Sequence, residues 1–155
     1  MARIVLLGCA GTGKTRLARR YAQRTGAALV CLDAIWAGDL EAFRAEIARR
    51  HAAEAWISDG NFAAASFDIR LPRATEIVWV EAPRWLCLLR AIRRPFRADS
   101  DHGLAKLGDA LRFIWNFDRR NRPLIERLRA EHGPQVPLRH LRTNAEIEAF
   151  LTAAA

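Results

Sequence analysis

The stretch Gly8-Cys9-Ala10-Gly11-Thr12-Gly13-Lys14-Thr15 constrains this chain more than any other. It fits the phosphate-binding loop pattern of Gly, four free positions, Gly, Lys and Ser/Thr, which requires a strand before it and a helix after it. Both are legible. Ile4-Val5-Leu6-Leu7 is an apolar run of the buried-strand type, and Thr15 to Thr25 reads as a helix stopped by Gly26. Glycines let the backbone approach a ligand closely, and the loop N–H groups with the positive end of the helix make an anion socket. In such a socket Lys14 reaches the β- and γ-phosphates, and Thr15 offers its hydroxyl to the magnesium a triphosphate carries. The expected ligands are therefore ATP and Mg2+. The nucleotide-side residues are Gly8, Cys9, Ala10, Gly11, Thr12, Gly13, Lys14, Thr15 and Arg16 in the first turn of the helix.

At 155 residues the chain suits one domain, 1–155, with a core that needs no disulfide. No apolar segment approaches membrane-spanning length. Cys9, Cys31 and Cys87 are odd in number and widely separated, without metal-ligand spacing, which suits a reducing cytoplasm. His51, His102, His132 and His140 are scattered and read as surface or capping residues, leaving no metal site beyond the nucleotide's magnesium. The net charge of +8 is carried almost wholly by arginine, Lys14 and Lys106 being the only lysines. That balance fits an anionic partner, including weak non-specific nucleic-acid binding, and equally a solvated arginine-rich surface. Clusters at Arg90, Arg93, Arg94 and Arg97, and at Arg119, Arg120 and Arg122, are placed to converge on phosphates.

Further along, Ala28 to Leu32 predicts a second buried strand ending at Asp33, and Leu40 to His51 a helix with Asp39 at its N-terminus. Ala55 to Ser58 predicts a third strand, ending at Asp59-Gly60, and 61–73 an irregular or briefly helical connection. Glu76 to Glu81 reads as a fourth strand. Pro83 then opens a helix running to Arg94, with Leu86, Leu89 and Trp85 or Ile92 turned inward. The polar segment Phe96 to Gly103 reads as a surface loop. A long helical pattern from Leu104 to His132 carries Pro123, which removes the bond to the Arg119 carbonyl and predicts a kink. Val136 to Leu141 predicts a fifth strand, and Asn144 the cap of a closing helix. Trp56, Trp79, Trp85 and Trp115 occupy apolar patterns and are assigned to packing. Strands alternating with helices predict an α/β fold with a mostly parallel sheet and the ligand at the carboxyl ends of the strands, where Gly8, Asp33 and Asp59 fall.

On Val80-Glu81-Ala82-Pro83-Arg84-Trp85-Leu86, continuing to Arg90 and Arg93-Arg94, the chain resembles the small P-loop kinases related to adenylate kinase. It resembles in particular the DNA topology modulation (FlaR-like) family. The signatures are Leu32-Asp33-Ala34-Ile35-Trp36, Asp59-Gly60-Asn61, Arg70-Leu71-Pro72-Arg73-Ala74, Pro83-Arg84-Trp85-Leu86-Cys87-Leu88 and Ile114-Trp115-Asn116-Phe117. The resemblance implies a three-layer P-loop NTPase fold: a five-stranded parallel sheet of order 2-3-1-4-5, helices on both faces and a short lid at about 95–106. It implies an ATP-dependent phosphotransferase with an unidentified small-molecule acceptor, and it does not imply which acceptor. The family name leaves a second reading, a nucleotide-regulated DNA-binding or topology-modulating protein without kinase activity, although no helix-turn-helix or RNA-binding signature supports it.

Phosphoryl transfer needs positioning and charge stabilisation more than covalent chemistry. By resemblance Arg94 contacts the phosphates, Arg90 lies nearer the adenine, and Arg119 with Arg122 closes onto the transferring oxygens; for each the alternative is a surface ion pair. Asp59 is the candidate carboxylate on the magnesium side, acting through water as the acid of a Walker-B-like strand does, with Glu81 as its competitor. Asp33 is placed either to take a proton from an acceptor hydroxyl or to cap a short helix. Trp36, Asn61, Arg70 and Arg73 are expected on the acceptor side, Arg70 gripping a phosphate or carboxylate.

Overall fold

The computed structural model describes residues 1–93 and 107–154. Five parallel strands form one sheet in the order β2-β3-β1-β4-β5. They are β1 (Arg3–Leu7), β2 (Ala28–Cys31), β3 (Trp56–Asp59), β4 (Glu76–Val80) and β5 (Leu138–Leu141). The helices are α1 (Lys14–Thr25), α2 (Leu32–Ile35), α3 (Leu40–Arg50), α4 (Ala63–Arg70), α5 (Arg84–Arg93), α6 (Leu107–Asn116), α7 (Arg122–His132) and α8 (Asn144–Ala153). No helix among the described residues is long and apolar enough to cross a membrane.

A parallel sheet covered on both faces needs strands that are apolar at every position, and β1 is: Ile4, Val5, Leu6 and Leu7 are all buried. The period of two then sorts them. Val5 and Leu7 join Val30, Trp56, Ile77 and Trp79 against Phe43, Ile47, Phe67, Leu71, Phe117 and Ile125, the face of α3, α4 and α7. Ile4 and Leu6 join Ile57, Val78 and Val80 against Leu17, Ala18, Tyr21, Phe150 and Leu151, the face of α1 and α8. Register sets the height of the strand ends, with Leu6 beside Asp59 on one side and Leu7 beside Trp79 on the other.

The long C-terminal helical pattern is broken where proline predicts it. Between α6 and α7 the residues Phe117–Asn121 form a π-helical turn, and the Arg122 N–H bonds the carbonyl of Phe117. Pro123 cannot donate to the Arg119 carbonyl, so the ladder is rebuilt one residue wider. The extra residue turns Phe117 into the core, with its ring 6.5 Å from that of Trp79.

Several expectations need correction. Strand β2 stops at Cys31, and Asp33 lies in the first turn of α2 instead of at a strand end. Thr143, not Asn144, caps α8, in a reciprocal capping box with Glu146. Val136 is buried but lies outside β5. Trp85 and Trp115 are 66% and 60% exposed, and Ile92 is also exposed, because only Cys87 of α5 is buried. Trp115 instead lies 5.4 Å under the Arg84 guanidinium. The expected lid at 95–106 and Arg94 lie outside the described residues.

His51 is the C-cap residue of α3 and is fully buried, not at the surface. Its Nδ1 is 2.7 Å from the Ile47 carbonyl, and its ring meets Trp56 edge-on. Burial, with a smaller contribution from the charges of Arg70 and Arg73, pushes the imidazole down from 6.5 to about 4 against that bond. Between those values the unfolded chain binds the proton and the folded chain does not, so stability is complete above the unfolded pKa and falls as pH drops toward 4. The loss should approach about 3 kcal/mol. Denaturant titrations at about pH 7 and about pH 4.5 should show a smaller pH-dependent loss for His51→Asn than for the parent chain. Equal losses would mean that His51 is not held neutral.

Candidate phosphate-loop site

The loop between β1 and α1 sits where the carboxyl ends of β1, β3 and β4 meet, and its backbone fits only as glycine. A Cβ on Gly8, at φ 140°, would collide with the Val80 carbonyl oxygen, and one on Gly11 would stand 2.9 Å from the carbonyl oxygen of Cys87. The loop is therefore wedged between β4 and α5. Thr12 Oγ1 donates to the Cys9 carbonyl at 2.9 Å, and Arg90 donates to the Gly11 carbonyl at 2.8 Å. Arg90 thus touches the loop itself.

From the β3 side the loop is held by Asn61, whose Oδ1 accepts the Gly8 N–H at 3.1 Å while its Nδ2 donates to the Gly8 carbonyl at 3.0 Å. Asn61 was expected on the acceptor side; it is instead a clamp on the phosphate loop. Arg70 supports the clamp. It is fully buried, and it donates to Ser58 Oγ at 3.2 Å, the Gly60 carbonyl at 3.0 Å and the Asn61 carbonyl at 2.6 Å. Burial lowers the guanidinium to about 9, with the Asp59 charge opposing. Buried with all its bonds turned inward, Arg70 is not available to an acceptor, which corrects that expectation. Arg73 is turned away too, its Nη2 3.4 Å from the Ala52 carbonyl. Trp36 is 43% exposed and edge-on to Phe43.

The two elements that should share a metal meet directly: Thr15 Oγ1 donates to Asp59 Oδ2 at 2.6 Å. Lys14 lies beside them, folded back so that its Nζ donates to the carbonyls of Gly8 (2.8 Å) and Cys9 (2.7 Å). Burial lowers its ammonium below the ordinary lysine value, and the charge of Asp59 chiefly, then those of Cys9 and Asp33, oppose this. Asp33 is thus close enough to act electrostatically on the loop lysine although it stands on α2. A hydroxyl and a carboxylate side by side form the all-oxygen donor pair that suits a hard ion such as magnesium held partly through water. No cluster of three His, Cys, Asp or Glu side chains that could hold a metal ion occurs among the described residues.

Glu81 does not compete for that position. It accepts from Arg122 at 2.8 Å, Arg142 at 2.8 Å and His140 at 3.1 Å. Burial pushes its carboxyl up, but the bonds from Arg142, Arg122 and His140 prevail and hold it below the ordinary range. Arg122 also lies 4.9 Å over the Trp79 ring and 3.5 Å from Asp118. With Arg84, itself paired to Asp118 at 2.8 Å, it lines an open cavity of about 60 Å³ that also touches Cys9, Thr12 and Cys87. Arg119 is exposed on the π-helical turn and does not line this cavity. Arg16 is exposed on the first turn of α1.

The chain is similar in structure to a shikimate kinase from Acinetobacter baumannii solved in complex with shikimate, at a TM-score of 0.59 and 17% identity, covering 99% of this chain and 90% of that one. A shikimate kinase from Bacteroides thetaiotaomicron gives a TM-score of 0.59 at 19% identity, covering 98% and 95%. The fold is that of the P-loop kinases. No family model and no curated protein matches the sequence. The P-loop kinase fold accounts for the strand order 2-3-1-4-5 and for the loop at the end of β1. The role of Arg70 was not legible in the sequence, since nothing in Arg70-Leu71-Pro72 distinguishes a buried support from an exposed contact.

Arg70→Met should therefore cost about 3 kcal/mol of stability, because the Gly60 and Asn61 carbonyls lose their donor while buried. Unfolding by urea checks this. Unchanged stability together with a higher acceptor KM would restore the acceptor role.

Proposed function

We propose that this chain is an ATP-dependent phosphotransferase acting on a small molecule that bears a hydroxyl or phosphate acceptor group. The observation that carries the reading is the contact of Thr15 with Asp59 at 2.6 Å, beside Lys14, in a loop that only glycine can form. Binding without catalysis requires a phosphate socket; a socket with a hydroxyl–carboxylate pair beside it also provides for a magnesium-linked reaction centre.

In this reading the N–H groups from Cys9 to Thr15 hold the β- and γ-phosphates, and Lys14 leaves the Gly8 and Cys9 carbonyls to reach them. Arg16 adds positive charge at the start of α1. Thr15, and Asp59 through water, would hold magnesium, which supplies charge neutralisation between the phosphates. An acceptor oxygen attacks the γ-phosphorus, ADP leaves, and Asp33 takes the acceptor proton. Arg90 stays with the loop near the base. Arg122, released from Glu81, with Arg119 and, by resemblance alone, Arg94, stabilises the transferring oxygens. The resemblance to DNA topology modulation proteins belongs to this reading as a family proposal. A cytoplasmic location and a single domain over 1–155 accompany it.

The DNA-binding alternative loses part of its basic surface to ion pairs within the chain. Arg20, Arg44, Arg49, Arg50, Arg84, Arg122, Arg139 and Arg142 are all in ion pairs with carboxylates of the chain itself. Weak, salt-sensitive binding to unrelated duplexes is expected and nothing tighter.

The deciding experiment is ATP consumption with magnesium across nucleosides, nucleotides, shikimate and other small hydroxy acids and polyols. Turnover that depends on one acceptor class supports the proposal. Absence of turnover with tight DNA binding at physiological salt reverses it. Lys14→Ala should weaken Mg-ATP binding by roughly 10- to 100-fold, the worth of one charge-assisted phosphate contact, without unfolding the chain. Calorimetry and circular dichroism read the two effects. Asp59→Asn should lower magnesium-dependent turnover more than metal-free nucleotide affinity; equal losses would make Asp59 a structural residue only.

A further inference from the structure

The phosphotransferase reading has no task for the two thiols at the loop. Cys9 is the second residue of the phosphate loop and Cys87 lies in α5, and both line the same cavity, whereas Cys31 at the end of β2 does not. They meet because α5 packs directly on the loop. A Cβ on Gly11 would stand 3.1 Å from the Cys87 Cα, and Arg90, further along the same helix, grips the Gly11 carbonyl. Cys87 is 1% exposed and borders the cavity, while Cys9 is half-buried. The Cys87 thiol donates to the Ala82 carbonyl at 3.9 Å, and the two thiols shift each other's titration, Cys9 upward and Cys87 downward.

We propose that Cys9 and Cys87 are a modification site that a hydroperoxide converts to a disulfide, pinning the phosphate loop to α5 and switching off nucleotide binding. The switch rests on the nucleotide reading above; the disulfide does not.

The chemistry balances with the peroxide as the sole oxidant. The Cys87 thiolate attacks one peroxide oxygen, the O–O bond breaks, and the departing hydroxide takes a proton to become water, leaving a sulfenic acid on Cys87. Cys9 then gives up its proton and attacks that sulfur. The S–S bond forms, the S–O bond breaks, and a second water leaves, so two thiols and one peroxide give one disulfide and two waters. The order of attack follows from the surroundings. The neighbouring Cys9 thiol chiefly, then the charges of Arg90 and Lys14, bring the Cys87 thiol down to about 7 against burial, while Cys87 and burial raise Cys9. The open cavity of about 60 Å³ has room for a hydrogen peroxide molecule.

The consequence for binding follows from Lys14. Its ammonium is bonded to the Gly8 and Cys9 carbonyls and must leave both to meet a phosphate. A loop covalently tied to α5 through Cys9 cannot make that rearrangement freely.

The test treats the purified chain with hydrogen peroxide, maps its peptides by mass spectrometry without reduction, and measures Mg-ATP affinity before and after dithiothreitol. The expected product is a Cys9–Cys87 cross-linked peptide pair lighter by two hydrogen atoms, with affinity weakened by roughly tenfold or more and restored by reduction. Cys31→Ser should respond as the parent does, and Cys87→Ser should keep its own affinity through peroxide treatment. Unchanged thiols, sulfinic acid at Cys87 without a cross-link, or pairing through Cys31 or between molecules overturns the modification site. A cross-linked protein that binds Mg-ATP as tightly as the reduced one overturns the switch. A reduced protein that never binds Mg-ATP overturns the nucleotide reading and the switch with it, while the peptide map still decides the disulfide.

Discussion

Two hydrogen bonds between Asn61 and the backbone of Gly8 tie the phosphate loop to the end of β3, and much of the site depends on that junction. Parallel strands β1 and β3 lie side by side with Leu6 opposite Asp59, so the chain leaves both at the same height. Gly8 must pass under the Val80 carbonyl, where any side chain would collide. The loop is thereby fixed between β3 and β4, and Thr15 at the start of α1 arrives at the Asp59 carboxylate. Anion sockets of this kind work because their N–H groups point inward before the ligand comes, so that little ordering remains to be done on binding.

Beneath the junction lies a buried cation. A guanidinium removed from water is costly unless its donors are met; Arg70 makes three bonds, to Ser58, Gly60 and Asn61, while its Nε is buried without a partner. Its other compensation is the negative charge of Asp59. The same carboxylate therefore faces Thr15 and the loop lysine on one side and helps a buried arginine on the other. That double duty explains why a residue with no reach to the surface still belongs to the working end of the sheet.

On the opposite flank, Glu81 gathers Arg122, Arg142 and His140, and Arg122 rests over Trp79. A half-buried carboxylate surrounded by three basic groups thus holds Arg122 in place by charge-assisted bonds. The π-helical turn that Pro123 imposes puts Arg122 there and leaves Arg119 outside the cavity. One residue of added helix width thus decides which member of the arginine cluster faces the loop.

The phosphate loop, the alternation of strands and helices, and the break at Pro123 were legible in the sequence because each depends on local chemistry. Glycines reveal a backbone that must approach closely, continuous apolar runs reveal strands covered on both faces, and proline removes one known hydrogen bond. The place of Asp59 at the end of a buried apolar strand was legible as well, and β3 does end there. Asp33 was placed one element too early, at a strand end instead of in α2, because Leu32 satisfies strand and helix alike. Trp85 and Trp115 were assigned to a core they do not enter, since an aromatic in an apolar pattern says nothing of whether another element covers it. Arg70, Asn61 and the meeting of Cys9 with Cys87 were settled only by tertiary structure. Each depends on how close two strands or a helix and a loop come to one another, and a residue's type fixes what it can bond, while only packing fixes which partner is within reach.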